Sequence, residues 1–236
     1  EVVPFATWPS QSRPLDGRTL RVGFVSGDLR QHPVGYFLLA AMKYLDLSAI
    51  SCIAYSNAAV EDAFSQRLKL HFTDWQSVIG LSDQTLAEKI HADAIDVLID
   101  LAGHTSHNRL SVFAWRPAPV QVAWLGYWAS TGLAEMDYVL ADEVSLPRSD
   151  AQFYTEQPWY LPNTRLCFTP PDTSTLPGAL PVAENGYVTF GSFQKLDKIS
   201  DATLGAWAAV LNALPASRFK LQSRPLGFPD AAKHML

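Results

Sequence analysis

Four stretches of the sequence carry side chains whose types and spacing can do chemistry. In SGDLRQHPVGY (26–36), which follows an apolar run, Gly27 allows a tight turn and a His-Pro pair comes next. Proline suits the first turn of a helix, so His32 falls at a helix mouth. Backbone amides there bias an imidazole towards its neutral form, which can act as a base. On spacing alone, a histidine that only caps or packs the helix start is the simpler reading. In DLAGHTSHN (100–108), Gly103 permits close backbone approach, and His104, Thr105 and His107 can present polar groups to a ligand. His104 and His107 lack a third metal ligand at suitable spacing, so a polar strand-to-helix cap explains them better than a metal site. In WLGYWASTG (124–132), Trp124, Tyr127 and Trp128 form an aromatic cluster that is either core or a platform for a sugar, with core the commoner outcome. In GSFQKLDKIS (191–200), Lys195 and Lys198 precede a predicted helix. Ammonium groups beside helix amides suit a diphosphate, and two solvated lysines fit the pattern equally well. That loop is neither GxxxxGK[ST] nor GxGxxG. No GxSxG elbow appears. The other histidines look bland: His71 precedes a strand, His91 lies on the exposed side of an amphipathic helix, and His234 is at the chain end.

These stretches sit between elements that the hydrophobic pattern places. Apolar runs predict strands near 20–26, 51–56, 96–101, 119–125 and 137–141, with a shorter one over 73–80. Helical spacing predicts helices over 34–45, 63–69, 82–94 and 107–115. Strands alternating with helices give a doubly wound parallel sheet over 20–142, and open sheets of this kind bind ligands at the C-terminal ends of their strands. Residues 1–19 read as an irregular N-terminal arm. Residues 143–186 hold seven prolines and read as a loop-rich linker without a packed element. A strand over 187–193, a helix over 200–214 and a strand over 219–223 then form one βαβ unit, the start of a second Rossmann-like lobe over 187–236 that a single unit leaves incomplete.

Bulk properties narrow the classes further. The 236 residues are 48% hydrophobic and 17% charged, which excludes a disordered chain. Lysine plus arginine number 18 against 23 acidic residues, and the net charge of −5 gives no general reason to bind nucleic acid or an anionic membrane. No run of 18 apolar residues predicts a membrane span. The first ten residues lack the features of a signal peptide, and the absence of an initial methionine suggests a piece of something longer. Two distant cysteines, Cys52 and Cys167, fit a reducing, cytoplasmic setting.

Taken together, RVGFVSGDLRQHPVGYF, IDVLIDLAGHTSHNRLSVFAWRPAPVQVAWLGYWASTGLAEMDYVLAD and YVTFGSFQKLDKIS resemble the catalytic region of O-GlcNAc transferases and their bacterial relatives, glycosyltransferase family 41. The resemblance runs from about Leu20 to the C-terminus. It implies a GT-B-like fold and an inverting transfer of N-acetylglucosamine, or a related sugar, from a UDP-sugar to a protein Ser/Thr hydroxyl. It also implies no metal and no cofactor beyond the UDP-sugar substrate, with acceptor proteins as partners and tetratricopeptide repeats upstream. It carries over His32 and Lys198 as catalytic residues and Gln194, Lys195 and Lys198 as donor-binding ones. The family's donor-contacting glutamine matches Lys195 when Lys198 anchors the comparison, and Gln194 is one position earlier. Gly103, His104, Thr105, Gly126 and Tyr127 match the acceptor or sugar pocket. Many members read LGYPGT where this chain reads LGYWAST, so Trp128 and Ala129 replace Pro-Gly in that pocket. The resemblance further implies that His32 and Lys198 face one interlobe cleft, and that the chain alone, without the rest of the second lobe, is inactive. Two other readings stay open: a non-catalytic sugar-nucleotide-binding or protein-interaction module with the same fold, and a transferase with another donor sugar or a non-protein acceptor.

Overall fold

The computed structural model describes residues 2–9, 11, 17–170, 176–223 and 226. His234 and parts of the N-terminal arm, the linker and the second lobe's end lie outside the described residues. The chain divides into two compact units, Glu1–Pro171 and Asp172–Leu236.

The first unit is built on seven strands: β1 (Leu20–Ser26), β2 (Ile50–Ser56), β3 (Asp74–Ser77), β4 (Val97–Asp100), β5 (Val120–Ala123), β6 (Tyr138–Ala141) and β7 (Gln157–Tyr160). All pairings are parallel, in the order β3-β2-β1-β4-β5-β6-β7. Among the described residues, four α-helices accompany it: α1 (Pro33–Met42), α2 (Ala63–Lys69), α3 (Asp83–Ala92) and α4 (Leu110–Ala114). Strand side chains alternate between faces, and each face has its own core. Val22 and Phe24 of β1 with Cys52 and Ala54 of β2 pack with Leu38 and Leu39 of α1 and Leu68 of α2. Val25, Ile53 and Tyr55 point the other way and pack with Leu86 and Ile90 of α3 and Phe113 of α4. A sheet covered on both sides explains why its strands read as unbroken apolar runs. The expected doubly wound parallel sheet is what the chain forms.

Three expectations need correction. The stretch 143–186 contains packed structure: a 3-10 helix over Arg148–Phe153, strand β7, and a short helix α5 (Pro181–Asn185). Pro158 made β7 read as non-strand, but β7 is the edge strand. Gln157 and Leu161 donate their amides to the β6 side at 2.9 and 2.8 Å, so Pro158 between them has its missing N–H on the open side. Helix α4 starts at Leu110 rather than at 107, because His107 adopts φ +63°, which no helix accommodates. His91 is half-buried rather than exposed. Its ring stacks on Phe5 at 4.0 Å, and its Nε2–H donates to the carbonyl of Thr7 at 2.8 Å, which docks part of the N-terminal arm on α3.

In the second unit, β8 (Thr189–Ser192) pairs in parallel with β9 (Arg218–Leu221), and α6 (Asp201–Ala213) connects them. Pro181 occupies the first turn of α5, and Gly186 ends that helix in the left-handed region. Trp207 of α6 lies on Phe219 of β9, with ring centroids 4.5 Å apart.

Candidate active site

An all-parallel sheet puts the C-terminal ends of its strands on one edge, and the candidate residues of the first unit stand on the loops above that edge. His32 ends the loop after β1. Its backbone is extended and it is the N-cap of α1, with Nδ1 accepting the amide of Val34 at 3.3 Å. An imidazole nitrogen that accepts a hydrogen bond carries no proton, so neutral His32 in this arrangement holds its hydrogen on Nε2. The carboxylate of Asp28 lies behind the ring, with Oδ2 3.7 Å from Nδ1; Asp28 is buried and the His32 side chain about one-third exposed.

The loop after β4 is fitted against its neighbours on both sides. A Cβ on Gly27 would sit 2.9 Å from Cβ of His107, and Asn57 donates to the His107 carbonyl at 3.1 Å. Gly103, at φ +55°, leaves no room for a side chain beside Tyr127. Gly126 lies directly against the carbonyl of Leu101, and Leu125 before it is held at φ +82°, a strained backbone for a branched residue. His104 meets Tyr127 edge-on at 5.5 Å, and its Nε2–H donates to the carbonyl of Ser130 at 3.2 Å. Thr105 turns inward, its hydroxyl donating to the Ala102 carbonyl at 2.8 Å. Gly103, His104, Gly126 and Tyr127 therefore form one assembly, and Thr105 braces its turn.

Two buried carboxylates that sequence reasoning did not single out shape these loops. Asp100, the last residue of β4, accepts the amides of Gly103 at 2.6 Å and Ala102 at 3.2 Å. Burial pushes its carboxyl up to about 6, against the downward pull of those amides and of His104. Glu156, just before β7, accepts both the amide and the hydroxyl of Thr131 as well as the hydroxyl of Ser130 at 2.9 Å. It thereby ties the loop after β5 to the sheet's edge. The Glu156 partners lie 25 and 26 residues away and are brought to it only by folding, whereas Asp100 bonds backbone amides two and three residues on, which any residue types there would supply. Trp128, on the same loop, is 70% exposed. Its ring stacks on Tyr127 at 5.3 Å, and its carbonyl accepts the Tyr154 hydroxyl. Trp124 is instead half-buried and donates its indole N–H to the carbonyl of Arg165 at 3.0 Å.

In the second unit, Gln194, Lys195 and Lys198 are exposed on the segment between β8 and α6. Lys198 closes a 3-10 turn two residues before Ser200, whose hydroxyl caps α6 by accepting the amide of Thr203 at 3.3 Å. A cation and a helix N-terminus are thus neighbours in one segment, the arrangement that attracts an anion. Among the described residues, no three His, Cys, Asp or Glu side chains gather as metal ligands, and no helix is long and apolar enough to cross a membrane.

The architecture and the loops have counterparts among known proteins. The O-GlcNAc transferase of Thermobaculum terrenum, solved as a mutant, superimposes with a TM-score of 0.85 at 39% identity, over 98% of this chain and 44% of that one. A protein of Petunia hybrida described as a probable UDP-N-acetylglucosamine–peptide N-acetylglucosaminyltransferase, SPINDLY, is 35% identical over 98% of this chain. A UDP-N-acetylglucosamine–peptide N-acetylglucosaminyltransferase of Caenorhabditis elegans is 36% identical over 63% of it. The chain spans 25% of the length of the Petunia relative and 13% of the nematode one. The model of glycosyl transferase family 41 matches residues 4–169, the segment that holds His32 and every loop of the first unit's site. The chain belongs to glycosyl transferase family 41.

Proposed function

We propose that the protein is an inverting, metal-independent glycosyltransferase that moves N-acetylglucosamine from UDP-GlcNAc to a Ser or Thr hydroxyl of an acceptor protein. The observation that carries this reading is the family match over 4–169, which coincides with the doubly wound sheet and the loops that bear His32, His104 and Tyr127 on one sheet edge. The acceptor oxygen forms a bond to the anomeric carbon from the side opposite the diphosphate. The bond from that carbon to the diphosphate oxygen breaks, its electron pair leaves with UDP, and the hydroxyl proton passes to a base. Negative charge grows on the leaving group, and Lys198 with the α6 amides supplies the stabilisation that a metal provides elsewhere. Gln194 and Lys195 assist in holding the donor, His32 serves the acceptor side, and the loops around Gly103 and Gly126 shape the sugar and acceptor pocket.

The test is transfer by the intact protein from UDP-GlcNAc to acceptor proteins in excess chelator, followed by mass spectrometry and assignment of the anomeric configuration. A β-linked hexosamine and equimolar UDP are expected. A retained α-configuration or loss of activity in chelator would overturn the mechanism. Donor binding without any UDP release would favour a non-catalytic binding module.

A further inference from the structure

The surroundings of His32 hold one group that the proposed mechanism does not use. Asp28 is buried, with 8% of its side chain exposed, and a buried carboxylate requires compensation. Among the described residues its carboxylate has two charged neighbours, both distant: Arg30 Nη2 at 3.5 Å from Oδ1 and His32 Nδ1 at 3.7 Å from Oδ2. Nδ1 of His32 therefore sits between an amide donor, Val34 N–H at 3.3 Å, and a carboxylate acceptor. It can serve only one at a time. Without a proton it accepts from Val34 and caps α1. With a proton it has nothing to give Val34, and Asp28 is the partner within a small ring movement.

We propose that Asp28 is a positioning residue for His32. Nδ1 pairs with the Val34 amide when the ring is neutral and with Asp28 when it is protonated, so Nε2 bears a hydrogen in both states and meets the substrate as a donor. The inference rests on the reading of His32 as an acceptor-side residue. It refines that role: His32 orients an oxygen, and the proton of the acceptor hydroxyl goes to a base other than His32. The alternative neutral form, with hydrogen on Nδ1, gives up the helix cap that the structure contains. Among the described residues, the same loop also carries Arg30, and Asp62 at the start of α2 holds the loop through Oδ2, which accepts the amide of Gln31 at 2.8 Å. Burial pushes the Asp62 carboxyl up, and the amides of Gln31, Ser65 and Phe64 with the Ser65 hydroxyl together bring it below its ordinary range.

The experiment is nitrogen-15 and proton NMR of imidazole-labelled intact protein across the His32 titration, in the parent, Asp28→Asn and Arg30→Ala. The neutral ring should report hydrogen on Nε2 in all three. Asp28→Asn should move the titration of His32 to lower pH, because the imidazolium loses its carboxylate. Arg30→Ala should move it to higher pH, because a competing cation is gone. Opposite displacements separate positioning from general disruption of the loop, and Arg30→Ala keeps the test alive if Asp28→Asn does not fold. Hydrogen on Nδ1 in the neutral parent, or a titration that neither variant displaces, would overturn the proposal. These signals do not depend on turnover, so a protein without transfer activity would still report whether Asp28 positions His32.

Discussion

The amide of Gly103 donates to Oδ2 of Asp100 over 2.6 Å, and this bond closes the turn that carries His104 and Thr105 above the end of β4. The carboxylate is fully buried, and burial raises its pKa from an ordinary 3.8 to about 6. Between about pH 4 and 6 the folded protein keeps a proton on Asp100 that the unfolded chain has released. Stability from this group therefore falls as pH rises through that window, and is fully recovered below it. A displacement of that size corresponds to roughly 3 kcal/mol. Urea unfolding of the parent and of Asp100→Asn at several pH values checks this: the difference between the two should change across the window and level off above it. Parallel pH profiles would show that Asp100 does not titrate there.

Gly126 and Gly103 set how closely the loops after β4 and β5 approach. Alanine at Gly126 drives a methyl into the Leu101 carbonyl, and alanine at Gly103 meets Tyr127 while holding a positive φ. Each substitution should destabilise the first unit by about 1–3 kcal/mol, the usual range for overpacking or a strained backbone. Gly178, with no atom near its missing Cβ and no positive φ, is the control and should tolerate alanine with little change. Thermal unfolding of the three variants decides it. An unaffected Gly126→Ala would mean that the loops are not packed as described.

Glu156 and Trp128 act on one loop in different ways. Glu156→Gln replaces an oxygen that accepts from Ser130 or Thr131 with a donor, and should lower stability by about 1–3 kcal/mol. Trp128→Ala removes a ring that is 70% exposed, and should change stability by less than about 0.5 kcal/mol. If Trp128 lines the acceptor or sugar pocket, its loss should raise KM for one substrate while the fold stays intact. Equal KM values for donor and acceptor in Trp128→Ala and the parent would leave it as surface.

The central strands were legible because each face of the sheet is covered, so β1, β2 and β4 had to be apolar throughout. Strand β7 was not, since its four residues include Pro158 and its order comes from pairing with β6 rather than from its own pattern. His32 and Lys198 stood out because a His-Pro pair and a lysine before a capped helix are local signals. Asp28, Asp100 and Glu156 gave no such signal: Glu156 finds its partners 25 and 26 residues away, and a single carboxylate beside an apolar run looks like any strand end. The shortening of α4 turned on the backbone of His107, which is set by the close approach of Gly27 and the hydrogen bond from Asn57.

In the proposed transfer, charge on the leaving diphosphate is met by a lysine before α6. Lys198 is exposed, so its removal should leave the fold unchanged. The most direct measurement is the steady-state kinetics of UDP-GlcNAc-dependent transfer by the intact protein and its Lys198→Ala variant. Removing one electrostatic donor to a developing anion typically lowers kcat about a hundred- to a thousandfold, and because that charge grows only in the transition state, kcat should fall far more than donor affinity. A fall of that size in kcat with a correctly folded variant is the predicted result. Unchanged kcat would remove Lys198 from the chemistry and contradict the mechanism.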